Sequence, residues 1–195
     1  MILALLLATA QVSEAPAATR SLYLQLIHQA RADGRPRAAL AYLNDFDRRY
    51  PGDADARALR INSLLDLGDV DRAEAAAANL SDSVIRGHLL AARERWVEAA
   101  ACYARAIEAS PADPLLRNAH GYALLRAGQA DQAIEALRAA LDLAPADRTI
   151  RNNLLLALSV AGRRTDVEAM LRRIPEQDSL RRQLAAEANH LQKGR

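Results

Sequence analysis

Glycine, alanine, proline and asparagine recur in this chain at one fixed interval. Pro111 and Pro145 stand 34 residues apart, as do Gly87 and Gly121, Ala99 and Ala133, Ala106 and Ala140, and Asn118 and Asn152. Gly128 recurs at Gly162, Gly34 at Gly68, and Ala39 at Ala73. One spacing accounts for eight pairs, so the chain is built from a repeated unit. A unit of this length is one supersecondary element that buries its apolar face only by stacking on a neighbour. An array of such units is therefore the architecture with which any fold must be reconciled.

The clearest unit lies in residues 118–147, NAHGYALLRAGQADQAIEALRAALDLAPAD. Its glycines and proline divide it into two helices. Gly121 and Ala133 are expected on facing helices, where small side chains let the axes approach to the short end of the usual range. Gly128 falls between the helices, at a place suited to positive φ. Pro145 lacks an N–H and stops the second helix. Asp147 is then placed to cap the next helix, as Asp113 is before Pro114. Leu124, Leu125, Ile134 and Leu137 have interior spacing, and Ala140 is expected to face the next unit.

Composition agrees with helices throughout. Apolar residues make up 51 % of the 195, but aromatic residues only 4 %. Such a core is built from Ala, Leu, Ile and Val, which favours close helix packing over sheets rich in β-branched and aromatic side chains. The fold class expected is all-α, in one array. The 26 basic and 24 acidic residues leave a net charge of +2 and are interspersed along helices. No basic block with interleaved aromatics suggests nucleic acid.

Catalytic chemistry is poorly represented. The four histidines, at 28, 88, 120 and 190, form no HExxH pair, no serine or cysteine has a nucleophile context, and no glycine-rich phosphate loop occurs. The single cysteine, Cys102, lies among alanines and reads as a small buried hydrophobe. No enzyme, cofactor, metal site or small-molecule substrate is expected. At the start, MILALLLATA is a ten-residue apolar run, too short to span a membrane as a helix. Ala8-Thr9-Ala10 has the small-x-small form of a signal-peptidase site. Residues 1–19 are accordingly read as a targeting remnant plus an unstructured stretch, QVSEAPAA. Self-association through this apolar start is an alternative.

The repeated pattern resembles the tetratricopeptide repeat: Gly or Ala at the eighth place, Ala at the twentieth and twenty-seventh, Pro at the thirty-second. Residues 114–147 supply Gly121, Ala133, Ala140 and Pro145, and residues 80–113 supply Gly87, Ala99, Ala106 and Pro111. Residues 20–53 keep Ala39 and Pro51 but place Ile27 and Phe46 where small residues are usual. Residues 54–79 keep Ala73 in a shortened unit whose second helix must be short. Residues 148–175 keep Gly162 but carry Leu155, Val167 and Ile174 at the small places, with Pro175 early. The resemblance covers 20–175 and implies a right-handed superhelix of four to five repeats. Residues 176–195 read as a capping helix, with Asp178 or Ser179 as its cap and Leu180, Leu184 and Leu191 at helical spacing.

The resemblance also implies that the first helix of each repeat lines a concave groove that binds a protein or peptide partner. Place nine reads His28, Asn62, His88, Tyr122 and Leu156; place five reads Leu24, Ala58, Val84, Asn118 and Asn152. With Arg126, the residues expected to meet the partner are His28, Asn62, His88, Asn118, Tyr122, Asn152 and Leu156. Trp96 opens a second helix and is expected to be structural. The Lys/Asn set by which some relatives grip a terminal carboxylate is absent.

RTIRNNLLLALSVAGR, residues 148–163, resembles the last repeat of small Flp (tight-adherence) pilus assembly proteins. That resemblance implies a pilotin-like, periplasmic or cell-envelope role toward an outer-membrane secretin or other pilus component. Gln11 stands where those proteins have a lipid-bearing cysteine. The alternative is a cytoplasmic adaptor or secretion chaperone. One consequence is independent of function: Ala133→Leu should overpack the helix pair by about 1–3 kcal/mol. A thermal melt in which the midpoint does not fall would refute that placement.

Overall fold

The computed structural model describes residues 11–172, 174 and 177–193. Among the described residues there are eleven helices and no strand. The apolar run 1–10, with its targeting and self-association readings, and Pro175 lie outside them. The chain divides into two compact units, residues 1–81 and 82–195.

The first unit contains α1 (Gln11–Ala32), α2 (Pro36–Arg49), α3 (Ala54–Asp66) and α4 (Val70–Ala76). The expectation of an unstructured QVSEAPAA is corrected: α1 is helical from Gln11. Glu14 and the alanines at 15, 17 and 18 are good helix formers. The shortened repeat has the short second helix expected of it, seven residues long. Ile27 and Phe46, the oversized residues of the first repeat, are both fully buried at 0 % exposure. Phe46 sits 4.7 Å from the Tyr50 ring and 6.1 Å from that of Tyr23.

The second unit contains α5 (Ser83–Ala92), α6 (Trp96–Ala109), α7 (Pro114–Arg126), α8 (Ala130–Leu143), α9 (Arg148–Val160), α10 (Arg164–Leu171) and α11 (Gln177–Lys193). Its packing rests on close approach. A Cβ on Gly121 would stand 2.6 Å from Leu137 Cγ and 3.3 Å from the Ala133 carbonyl oxygen. A Cβ on Gly87 would stand 2.5 Å from Tyr103 Cε1. Ala133, Leu137 and Ala140 are fully buried, and Leu124, Leu125 and Ile134 join them in the core.

Turns and caps follow the repeated sequence. Gly128 has φ +86°, its N–H donating to Leu125 O while Gln129 N–H donates to Leu124 O. The equivalent place in the preceding repeat holds Glu94, with φ +59° and the same pair of bonds, to Ala91 O and Leu90 O. The periodicity thus imposes a glycine conformation on a glutamate. Asp113 accepts from the N–H groups of Leu115 and Leu116, and Asp147 from those of Thr149 and Ile150. Each carboxylate meets otherwise unpaired donors at a positive helix end.

The tail forms a helix against α9, and Leu184 and Ala188 enter the core. Its cap assignment is corrected. The helix begins at Gln177, so Asp178 and Ser179 lie inside its first turn, and Asp178 acts there as an acid at the N-terminal end.

Two measurements probe these features. Glu94→Gly should stabilise the protein by about 0.5–1 kcal/mol, the left-handed penalty exceeding glycine's entropy cost and the loss of an exposed ion pair. A lowered urea midpoint would contradict this. Asp53 caps α3 by accepting from Ala56 N–H at 3.0 Å, and Arg20 Nε of α1 donates to it at 2.7 Å. The Arg20 bond, aided by the Ala56 N–H, holds the Asp53 carboxyl below the usual carboxylate range. The stability it contributes is therefore complete above its unfolded pKa of about 4 and is lost as pH falls through the depressed folded value. Asp53→Asn should flatten the acid limb of a urea-midpoint profile taken from pH 6 to 2.

Candidate functional site

Each unit carries a groove on its first helices. In the first unit, α1 supplies Leu24 and His28, one turn apart, and α3 supplies Ala58 and Asn62 at the matching places one period on. These four line a groove of about 270 Å³ together with Arg31, Asp55 and Leu59. Its edges are set by ion pairs between the same helices. Arg31 Nε lies 2.8 Å from Asp66, and Arg20 Nη2 lies 2.7 Å from Asp55. The structure thus brings His28 and Asn62 together in one groove with a charged rim.

In the second unit a groove of about 340 Å³ is lined by Ala91, Trp96, Tyr103, Asn118, Ala119, Tyr122, Ala123, Asn153 and Glu187. Asn118 and Tyr122 stand one turn apart on α7, facing the same way. Ala119 and Ala123 form a shallow floor between them and α5. The Trp96 ring meets Tyr122 edge-on, with centroids 6.1 Å apart at 87°. Tyr103 is nearly buried beneath, and burial pushes its phenol well above the ordinary range, so it remains a neutral hydroxyl. Asn153 Nδ2 donates to Asn118 Oδ1 at 2.9 Å. With the amides so assigned, Asn118 keeps N–H donors and Asn153 keeps its carbonyl oxygen.

Several sequence-derived assignments change. Leu156 was expected to face the partner but is 3 % exposed, in the same core cluster as Leu184 and Ala188 of α11. The tail helix covers this place. Asn152 does not line the groove. Its Oδ1 is buried and without a hydrogen-bond partner among the described residues, and Asn153 takes the place expected of it. The reason is register. Three side-chain pairs that touch across neighbouring first helices are 35 residues apart, Arg20 and Asp55, Arg31 and Asp66, and Asn118 and Asn153, while Arg20 also reaches the α3 cap Asp53 at 33. Residue type repeats every 34, but the partner of Asn118 falls one residue later.

Arg126 is also reassigned, from contact to brace. Its guanidinium lies 4.2 Å from the Trp96 centroid, and Nη1 donates to the Tyr122 hydroxyl at 3.3 Å. Its Nη2 is 3.9 Å from Glu94. It holds both rings without lining the groove. His88 is half-buried with its ring 5.7 Å from that of Tyr103, behind the lining. Trp96, expected to be purely structural, is a wall of the groove. Its position as the only tryptophan was the available signal. Glu187 gave none, because it comes from the tail, outside the repeat. On α7, His120 is held below the usual histidine range by burial and by Arg117, and is not a lining residue.

Among the described residues, no cluster of three or more His, Cys, Asp or Glu gathers at a potential metal position, and no helix is long and apolar enough to cross a membrane. What the arrangement offers is recognition: paired amides for a peptide backbone, ring walls for a side chain, and a floor of alanines.

Stacked helix pairs bearing such grooves define an α-helical repeat scaffold. The chain belongs to the tetratricopeptide repeat family, whose model matches residues 24–82 and 118–175. The family's proteins are generally scaffolds for protein interaction, typically without catalysis. No curated protein matches the chain. Among solved structures it is similar to TTC0263, a thermophilic tetratricopeptide protein of Thermus thermophilus. The TM-score is 0.71 at 22 % identity, over 86 % of this chain and 97 % of that one. It is also similar to PilF of Pseudomonas aeruginosa, with TM-score 0.63 and 18 % identity over 89 % and 78 %. MamA of Desulfovibrio magneticus (residues 41 to the end) gives TM-score 0.52 and 23 % identity over 84 % and 96 %. At these identities the likeness is one of fold.

Proposed function

We propose that this protein is a non-catalytic scaffold that holds a peptide or helix of a partner protein in its first-helix grooves. The observation that carries the reading is the convergence of Asn118, Asn153, Tyr122 and Trp96 on one groove. Amide donors and acceptors left over from the Asn118–Asn153 bond match the alternating groups of an extended backbone, while the rings receive a side chain.

Within that class, we propose a pilotin-like assembly factor of a bacterial Flp pilus or secretin system, acting in the periplasm or at the cell envelope. Its support is the resemblance of residues 148–163 to the last repeat of small tight-adherence pilus assembly proteins. The likeness to PilF concerns the fold and transfers no role. The competing reading is a cytoplasmic adaptor or secretion chaperone, favoured if the cellular protein retains Met1 and fractionates with the cytosol. Mature protein beginning at Gln11 in a periplasmic fraction supports the envelope reading.

The groove itself is tested by affinity capture from cells of the source organism with wild type and with Asn118→Ala/Tyr122→Ala. Partners held in the groove should be depleted at least tenfold by the double substitution, with no change in circular dichroism. Equal recovery by both proteins would refute the assignment.

A further inference from the structure

We propose that the groove of the second unit selects a cationic side chain on its partner, lysine or arginine, and that Glu187 is the group that selects it. This rests on the reading of that groove as a partner-binding surface and adds a chemical requirement to it.

An exposed carboxylate on a capping helix is ordinarily a solvated one. Glu187 differs in where it stands and in what it lacks. It is the only charged residue among the nine that line the groove; the others are aromatic, amide or alanine. No ion pair engages it among the described residues. The other acid of α11, Asp178, has Arg181 at 3.9 Å, and Glu168 of α10 has Arg181 at 2.7 Å. Arg126, which stands against the walls Trp96 and Tyr122, is already committed to the Trp96 face, to the Tyr122 hydroxyl and to Glu94. The nine lining residues themselves carry one negative charge and no counter-ion.

The remaining surface fits the rest of such a side chain. Ala119 and Ala123 offer a floor without branches, over which a three- or four-carbon stem can lie extended. Trp96 and Tyr122, set perpendicular at 6.1 Å, wall the groove, with Arg126 lying on one face of Trp96. An unpaired carboxylate beside such walls favours a cationic side chain over an anionic one. The Asn118–Asn153 pair would meanwhile hold the backbone that carries the side chain.

The carboxylate arrives on α11, which packs against α9 and buries Leu156. The capping helix thus has two effects: it closes the last repeat with its apolar stripe and charges the groove with its polar face. A groove built from repeats alone would be neutral here.

The test uses the full chain and random decapeptides displayed on phage, selected against wild type and against Glu187→Lys in parallel. Binding of the selected synthetic peptides is followed by fluorescence, since Trp96 is the only tryptophan and lies in the groove. Peptides from wild type should carry a lysine or arginine whose replacement by norleucine or citrulline weakens binding by about three- to tenfold. Glu187→Gln should abolish that difference while leaving the melting temperature unchanged, and the Glu187→Lys selection should yield acidic residues instead. Peptides that depend on Tyr122 but show no cation preference, or keep it in Glu187→Gln, overturn the selection by Glu187 and leave the groove standing. If no selected peptide is weakened by Tyr122→Ala, the groove reading itself falls.

Discussion

Close approach of a glycine backbone to a side chain of the facing helix is the constraint on which the second unit depends. Where Gly121 meets Leu137 and Gly87 meets Tyr103, there is no room for even one methyl group. Such contact fixes the distance between first and second helices of a repeat, and with it the positions of everything the first helices carry. Asn118 and Tyr122 lie three residues before and one residue after Gly121. Their placement toward the groove is a direct consequence of the glycine's placement toward Leu137, since a helix turns about 100° per residue. The first unit reaches an equivalent end by other means, seating Ile27 and Phe46 in a pocket of aromatic rings. A bare backbone facing a bulky side chain and an interlocked set of rings both lock one helix against the next.

The fold was legible because its determinants are periodic. A glycine, an alanine or a proline at a fixed interval reports the same physical need each time, whether close approach, a left-handed turn or a helix stop. Glu94 shows how strongly the period acts, adopting φ +59° where the following repeat has glycine. Less could be read of the groove. Periodicity identifies equivalent places, and His28 with Asn62 did come together on that basis. It does not identify touching places: the side chain that meets Asn118 lies 35 residues on, at Asn153, and not at its periodic equivalent Asn152. Leu156 and Glu187 depend on where the aperiodic tail settles, and no repeat pattern carries that information. The beginning of α1 was misread for a related reason: Pro16 and the small residues around it suggest a linker until a packed helix follows them.

Division of labour among side chains is then clear in the second unit. Alanine, glycine and leucine set the spacing together with the buried Tyr103 ring, while Asn118, Tyr122, Asn153 and Trp96 line the groove. Arg126 belongs to neither set. It spends its charge on Trp96, Tyr122 and Glu94, and so turns two aromatic side chains with freedom of rotation into fixed walls. A braced wall loses less entropy on binding than a mobile one, which is an advantage for a surface with few polar contacts to offer.

The burial of Leu156 also marks an end. In the second unit α11 packs against α9, and Leu156 lies in the same core cluster as Leu184 and Ala188. An uncapped array would leave its last first helix open to more chain; here that side of the trough has an end wall.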